Sequence, residues 1–197
     1  MIRLAVPEAA SVTFILRLWT LYIHWLSKPA SDRLLYRCTT RSKAKKIVEM
    51  GLGNGQRAGR LIALAALQHE TSQISYTGID LFEGRPGSEQ PTLTLKQTYS
   101  QLKKTGAQIR LVPGGPHEAL SRTANSLTET DVLVISADQD AGQLAKAWFY
   151  VPRMLKPTSQ VLVEVCDEAG QVTGMRILTT VELEALAAQA TLRRKAA

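Results

Sequence analysis

From Lys46 onward the apolar residues fall into short runs separated by longer stretches with a helical repeat. The runs are Ile47, Val48 and Met50; Ile74 to Asp80; Gln108 to Val112; Asp131 to Ser136; and Val161 to Val163. Each is short and mostly apolar, as a parallel strand covered on both faces must be. Between them lie helical patterns: Ala58, Leu61, Ile62, Ala65, Ala66; Leu95, Tyr99, Leu102; Leu120, Thr123, Ala124, Leu127; and Leu144, Trp148, Val151, Leu155. Strands alternating with helices predict a mostly parallel sheet with helices on both faces. Gly174 to Leu178 reads as a sixth strand, antiparallel to the fifth through a turn at Glu168-Ala169-Gly170. A last helix runs from about Val181 through Ala188, and Arg193-Arg194-Lys195 forms a basic tail.

The pattern before Lys46 is different. Residues 9–26 are very apolar, and Thr13, Arg17, Thr20 and His24 make one narrow polar stripe at helical spacing. Arg17 near the middle and the short length argue against a transmembrane segment, and a small-residue cleavage site after a charged start is missing. The expectation is an amphipathic helix packed on the domain or on a second subunit, which makes a homodimer possible. An in-plane membrane anchor is the alternative. Lys28-Pro29-Ala30-Ser31 ends this helix, and Ser31 or Asp32 is placed to cap a second one, with Leu34, Leu35 and Cys38 on its apolar side and Arg33, Arg37 and Arg41 along one face.

The candidate chemistry sits where the first strand ends. Gly51, Gly53 and Gly55 follow Ile47-Val48-Glu49-Met50 and precede a helix. Such a turn allows close backbone approach to a ligand beside the unpaired donors of a helix start. Glu49 inside the apolar strand needs a partner, because an unpaired buried carboxylate is costly. Gln56 stands where the dinucleotide fingerprint has its third glycine, so a nicotinamide dehydrogenase is disfavoured. Asp80 ends the second strand, 25 residues beyond Gly55, where a carboxylate is placed to accept both hydroxyls of a ribose.

The run Glu-x-Gly-x-Gly-x-Gly, with Asp80 beyond it, resembles the first motifs of the class I S-adenosylmethionine-dependent methyltransferases. By order of elements the resemblance covers residues 31–178. It implies a Rossmann-like α/β fold, with an N-terminal helical extension over 1–44 and a methyltransferase core over 45–197, together one domain. It implies S-adenosylmethionine as cofactor, held by Glu49, Gly51, Gly53, Gly55, Asp80 and Leu81, with Phe82 able to help cover the adenine. Two positions depart from the family: Gly115 stands where an acid often meets the adenine amino group, and Ser136 stands at the tip of the fourth strand where many O-methyltransferases carry an acid. Both still belong to the expected cofactor site. Asp138 and His117 are the candidate catalytic groups for a small-molecule acceptor, with O-methylation favoured. Asp138 and Asp140 alone are too few oxygen ligands for a metal. The alternative is a protein that keeps the nucleoside pocket without catalysis.

Charge and cysteine content narrow the partners. The formal charge of +7 is concentrated in residues 1–50, which hold nine Lys or Arg against Glu8, Asp32 and Glu49. That invites an anionic partner. Aromatic residues are not interleaved with the basic run, and the Asn/Asp-Pro-Pro-aromatic signature of amino-methyltransferases is missing, so nucleic acid is an unlikely partner. Cys38 and Cys166 lack metal-site spacing and suit reduced thiols in a cytoplasmic protein.

Overall fold

The computed structural model of the chain describes residues 8–84 and 94–195, with side chains from residue 14 onward. Two helices lead in, α1 (Glu8–Trp25) and α2 (Arg33–Arg41). Then follow β1 (Lys46–Met50), α3 (Gln56–Ala66), β2 (Ser75–Asp80), α4 (Leu95–Lys103), β3 (Gln108–Pro113), α5 (Pro116–Thr123), β4 (Thr130–Ile135), α6 (Ala141–Ala147), β5 (Leu155–Cys166), β6 (Val172–Ile177) and α7 (Thr180–Lys195).

The strands form one sheet in the order β3-β2-β1-β4-β5-β6, parallel except for β6. β1 is central, pairing Glu49 with Gly78 of β2 and with Val134 of β4. The chain leaves β1 toward β2 on one side and later returns to β4 on the other, so a crevice opens at the carboxyl ends of β1 and β4, where ligands bind in sheets of this kind.

Alternation along β1 divides the core. Ile47 faces one layer with Tyr76, Val132, Val134 and Leu162, packed against Leu35 and Tyr36 of α2 and Leu61, Ile62 and Leu64 of α3. Val48 and Met50 face the other with Ile79, Leu133, Ile135 and Val161, packed against Leu120 of α5, Ala147 of α6 and Ala190 of α7. The period of two therefore turns Glu49 toward the α2–α3 layer.

The structure corrects several expected details. Leu155 starts β5 instead of closing a helix: α6 stops at Ala147 and the chain passes through a short 3-10 turn, Val151–Arg153, with Pro152 inside it. The residues expected as a basic tail belong to α7, which continues to Lys195. In α2 the buried residues are Leu35, Tyr36 and Thr39, while Leu34 and Cys38 pack only partly. The polar groups of that inner face are satisfied, since Thr39 donates to Leu35 O at 2.9 Å and Tyr36 donates to Asp32 Oδ2 at 3.0 Å. Neither Ser31 nor Asp32 caps α2 with its side chain; Asp32 precedes the helix but turns inward. Most of the loop expected after Phe82 lies outside the described residues.

At the opposite, amino edge of the sheet, Asp131 holds β1 in place. It accepts from Lys45 N and Lys46 N, both at 2.8 Å, and pairs with Lys156. Burial alone would raise its pKa, but the Lys156 ammonium and the two amides overcome that and hold it below the ordinary value. A depressed carboxylate contributes stability above its unfolded pKa of about 3.9, and the contribution is lost as pH falls through the lower folded value. Asp131→Asn is therefore expected to lower stability by about 2 kcal/mol at neutral pH, the scale of charge-assisted hydrogen bonds. Urea unfolding at stepped pH should show the gap between variant and parent closing below about pH 4. A gap that is constant down to acid pH would show that the charge of Asp131 is immaterial.

Candidate functional site

Glu49 is completely buried, and what neutralises it is Arg57, one helical position past the first residue of α3. Arg57 Nε donates to Glu49 Oε1 at 2.6 Å, and Tyr76 hydroxyl donates to the other oxygen. The rest of the guanidinium is also engaged. It donates to Gly51 O at 2.9 Å, to Ser136 Oγ and to Glu164 Oε1, and it lies 3.6 Å from Asp32 Oδ1. One planar cation thus ties together β1, the glycine turn, the tip of β4, the carboxyl end of β5 and the start of α2. Its fork of donors makes this possible where a lysine could not.

The titration of the cluster follows from burial. Desolvation pushes Glu49 and Asp32 above the ordinary carboxylate range, and the Arg57 charge counters that push in both. Burial would lower the Arg57 pKa, but Glu49, Glu164 and Asp32 together hold it above its usual value. Three carboxylates face one guanidinium, so with all four groups ionised the cluster carries two excess negative charges.

Above the cluster lies a cavity of about 510 Å³. Its walls are the turn residues Gly51 to Asn54, with Gln56, Arg57 and Arg60 of α3, Ser136 to Asp138 after β4, Glu164 and Cys166 of β5, Gly170 and Val172, and Pro29, Ser31 and Asp32 of the lead-in. Asp32, Asp138 and Glu164 line it against Arg57 and Arg60. The excess of acid suits a ligand that brings positive charge, the reverse of what the basic chain as a whole attracts.

The glycines have different duties. Gly51 (φ +87°) is a packing requirement, because a Cβ there would lie 2.6–2.8 Å from side-chain atoms of Gln139, Ser136 and Asp138. Gly53 (φ +56°) has open space where its Cβ would be and is part of the cavity wall. Its backbone is therefore accessible to a ligand, at a left-handed conformation that L side chains adopt at a cost. Gly55 immediately precedes α3.

Asp80 ends β2 as expected and is 5% exposed. Its oxygens accept from Leu52 N at 2.6 Å and Phe82 N at 3.0 Å. It therefore fastens the glycine turn to the end of β2. Gly78 leaves room for this arrangement, since a Cβ there would strike the Leu52 side chain at 2.7 Å. Leu81 is 42% exposed beside it, whereas Phe82 is buried. Gly115 precedes α5 against Gln143. Ser136 stands in the cavity wall and donates to Gly51 O at 2.8 Å.

The two candidate catalytic groups are not brought together. Asp138 lines the cavity, with Gln139 Nε2 donating to it at 2.8 Å. His117 lines a different cavity, of about 360 Å³, with Phe149, Tyr150 and Lys146, its ring 5.8 Å from that of Tyr150. Asp140 caps α6, accepting from Gln143 N at 2.7 Å. Among the described residues no group of three or more His, Cys, Asp or Glu is arranged to hold a metal ion.

Sequence reasoning missed Arg57, Glu164 and the inward turn of Asp32. A signal for Arg57 was present, since a buried Glu49 demands a cation and Arg57 stands just past the turn. Glu164 lies at the strand position after Val161-Leu162-Val163 and had no such cue.

No protein-family model matches this chain, and no curated protein does. Solved structures do. A putative caffeoyl-CoA O-methyltransferase from Staphylococcus aureus is 13% identical with a TM-score of 0.52, over 94% of this chain and 82% of that one. The O-methyltransferase TomG from Streptomyces achromogenes, involved in tomaymycin synthesis and solved with S-adenosylmethionine, is 15% identical with a TM-score of 0.52, over 83% of this chain and 67% of that one. At such identities the likeness concerns the fold. The chain has the Rossmann-like fold of the class I S-adenosylmethionine-dependent methyltransferases.

Removing Arg57 leaves a completely buried carboxylate without its counter-charge. Arg57→Met is expected to cost about 3–5 kcal/mol in chemical denaturation. The deficit should shrink as pH falls, because a protonated Glu49 needs no cation. Adding Glu49→Gln to Arg57→Met should recover part of the loss, and simple additivity of the two changes would show that they are not coupled.

Proposed function

We propose that this protein is an S-adenosylmethionine-dependent methyltransferase acting on a small molecule, with an oxygen acceptor favoured. The observation that carries the reading is the acid-rich cavity directly over the glycine turn, at the carboxyl edge of β1 and β4. S-adenosylmethionine presents a sulfonium and an ammonium, and a cavity lined by Asp32, Asp138 and Glu164 complements both. Gly53 offers open backbone to the ligand, and Asp80 holds the turn in shape while standing at the position expected to meet the ribose. TomG, which shares this fold, was solved with S-adenosylmethionine, which supports the same cofactor here.

Methyl transfer asks for alignment more than for chemistry, because the sulfonium already activates the methyl group. For a hydroxyl acceptor, Asp138 is the residue placed to take the proton. Asp32 is a second carboxylate in the same wall, and desolvation raises its pKa against the pull of Arg57. His117 belongs to the other cavity and has no part in this reading. A non-catalytic S-adenosylmethionine-binding protein is the second reading, favoured by Gly115 standing where family members often have an acid and Ser136 where many O-methyltransferases have one. The reading also places the protein in the cytoplasm.

Calorimetric titration with S-adenosylmethionine, S-adenosylhomocysteine and NAD in parallel tests the cofactor. The first two are expected to bind and NAD is not. Asp80→Ala should weaken S-adenosylmethionine by about 1–3 kcal/mol, the scale of hydrogen bonds to a charged group. Gly53→Val should abolish binding while leaving the far-ultraviolet circular dichroism intact. NAD binding alone, or a folded Gly53→Val variant that binds as the parent does, sinks the proposal.

A further inference from the structure

The lead-in helices make an antiparallel pair whose members differ in length. Arg33 Nε donates to Ser27 O at 3.0 Å, Arg37 donates to His24 O at 3.1 Å, and the His24 ring meets Thr40 Oγ1 at 3.0 Å. These contacts use up α2, which ends at Arg41. The N-terminal half of α1 therefore projects past the end of its partner, toward the amino edge of the sheet. Ile23 is buried and Trp19 partly so, and they anchor the near half.

The outward face of α1 is apolar, both where the helix projects and where it lies along α2. Phe14, Ile15, Leu18, Leu21, Tyr22 and Trp25, with Leu26 just past the helix end, are each between 47% and 67% exposed. At 100° per residue they occupy one continuous arc of roughly 140° on the helix surface. Ile23, in the core, and His24, against Thr40 of α2, lie on the other side, together with Thr20 and Leu16. An exposed stripe of this extent marks an interaction surface. Among the described residues no helix is long and apolar enough to cross a membrane.

Charge selects what covers the stripe. Arg41, Lys43, Lys45 and Lys46 are exposed at the end of the sheet toward which α1 projects, against the exposed acids Glu70 and Glu129, and Arg17 borders the stripe itself. Two of the three acids in residues 1–50, Asp32 and Glu49, are buried in the site and do nothing to offset this field. A second copy docking through the same stripe would bring two positive fields together. An anionic lipid surface neutralises the field and takes up the apolar arc, with Tyr22 and Trp25 suited to the boundary between headgroup and acyl chain. We propose that α1 docks this protein on anionic membrane surfaces, its apolar arc inserted among the lipids and Arg41, Lys43, Lys45 and Lys46 facing the headgroups. The site lies at the opposite edge of the sheet and stays open to solvent.

The test is co-sedimentation of the full chain with vesicles of phosphatidylcholine alone and of phosphatidylcholine mixed with phosphatidylglycerol, beside light scattering without lipid. Binding is expected to the mixed vesicles and to weaken with added salt. Leu18→Glu with Leu21→Glu, both on the exposed arc, should lose most of the vesicle-bound fraction with circular dichroism unchanged. Arg41→Glu with Lys43→Glu should lose the preference for phosphatidylglycerol. The proposal is overturned if the parent stays in the supernatant with mixed vesicles, or if it binds and Leu18→Glu with Leu21→Glu binds equally well. A dimer in solution that becomes monomeric in that variant, with vesicle binding absent, assigns the stripe to a second copy instead.

Discussion

The pairing of Glu49 with Arg57 is the constraint on which the site depends. Glu49 lies in the central strand, between two neighbouring strands, with no access to water. A carboxylate there is tolerable only with a counter-charge and full hydrogen bonding. Arg57 reaches it from the second residue of α3, so the length and path of the glycine turn are fixed by the need to deliver that guanidinium. The same guanidinium then has donors left over, and it spends them on Gly51, Ser136, Glu164 and Asp32. The floor of the cavity is for this reason an ionic network that exists before any ligand arrives. Because a cluster of this kind is strained electrostatically, with more acid than base, added positive charge relieves it. Its composition favours occupation by a cation on the same grounds that it favours rigidity.

Much of the fold was legible because its signals are local. Runs of apolar residues beginning at or near Ile47, Ile74, Ile109, Val132 and Val161, spaced by helical patterns, leave little choice but a parallel α/β sheet, and Glu49, the three glycines and Asp80 mark its carboxyl edge. What was illegible depended on contacts between distant residues. Asp32 reads as a helix cap from its neighbours alone, and only the tertiary fold reveals Arg57 opposite it and Tyr36 beneath it. Glu164 follows three apolar strand residues and nothing beside it in the sequence singles it out, yet it receives both Arg57 and, at 2.8 Å, the amide of Ala137. His117 reads as a residue near the ligand edge because it follows β3. The α5 start carries it instead to the far side of the sheet, beside Tyr150. Leu155 fits the helical repeat of Leu144, Trp148 and Val151, but Pro152 interrupts that helix and the chain turns into β5.

The basic face expected on α2 had a different meaning. Arg33 and Arg37 follow the helical spacing that suggested a face for an anionic partner. In the fold both are turned toward α1, donating to the carbonyls of Ser27 and His24 near its end, and Arg37 stacks 4.9 Å over the Trp25 ring. The carboxyl ends of helices carry partial negative charge, so cations there stabilise the helix pair. Arg41 alone of the three remains exposed. Two of the three arginines thus serve to hold α1, and helical spacing could not tell that role from a binding surface.

Charge is sorted by the sheet rather than spread over the molecule. At the carboxyl edge, Asp32, Glu49, Asp138 and Glu164 outnumber Arg57 and Arg60, and the cavity opens among them. At the amino edge, Arg41, Lys43, Lys45 and Lys46 outnumber the exposed acids, and Asp131 is consumed in fastening β1. The two edges are separated by the length of the strands, about 3.3 Å per residue, so at physiological salt, with a screening length of about 8 Å, neither field cancels the other. An overall charge of +7 therefore describes neither end. A cationic ligand meets the acidic cavity without crossing the basic surface, and an anionic surface meets the basic edge without repulsion from the cavity. One orientation on a negatively charged surface satisfies both ends at once, with α1 and the amino edge against it and the cavity turned away toward solvent.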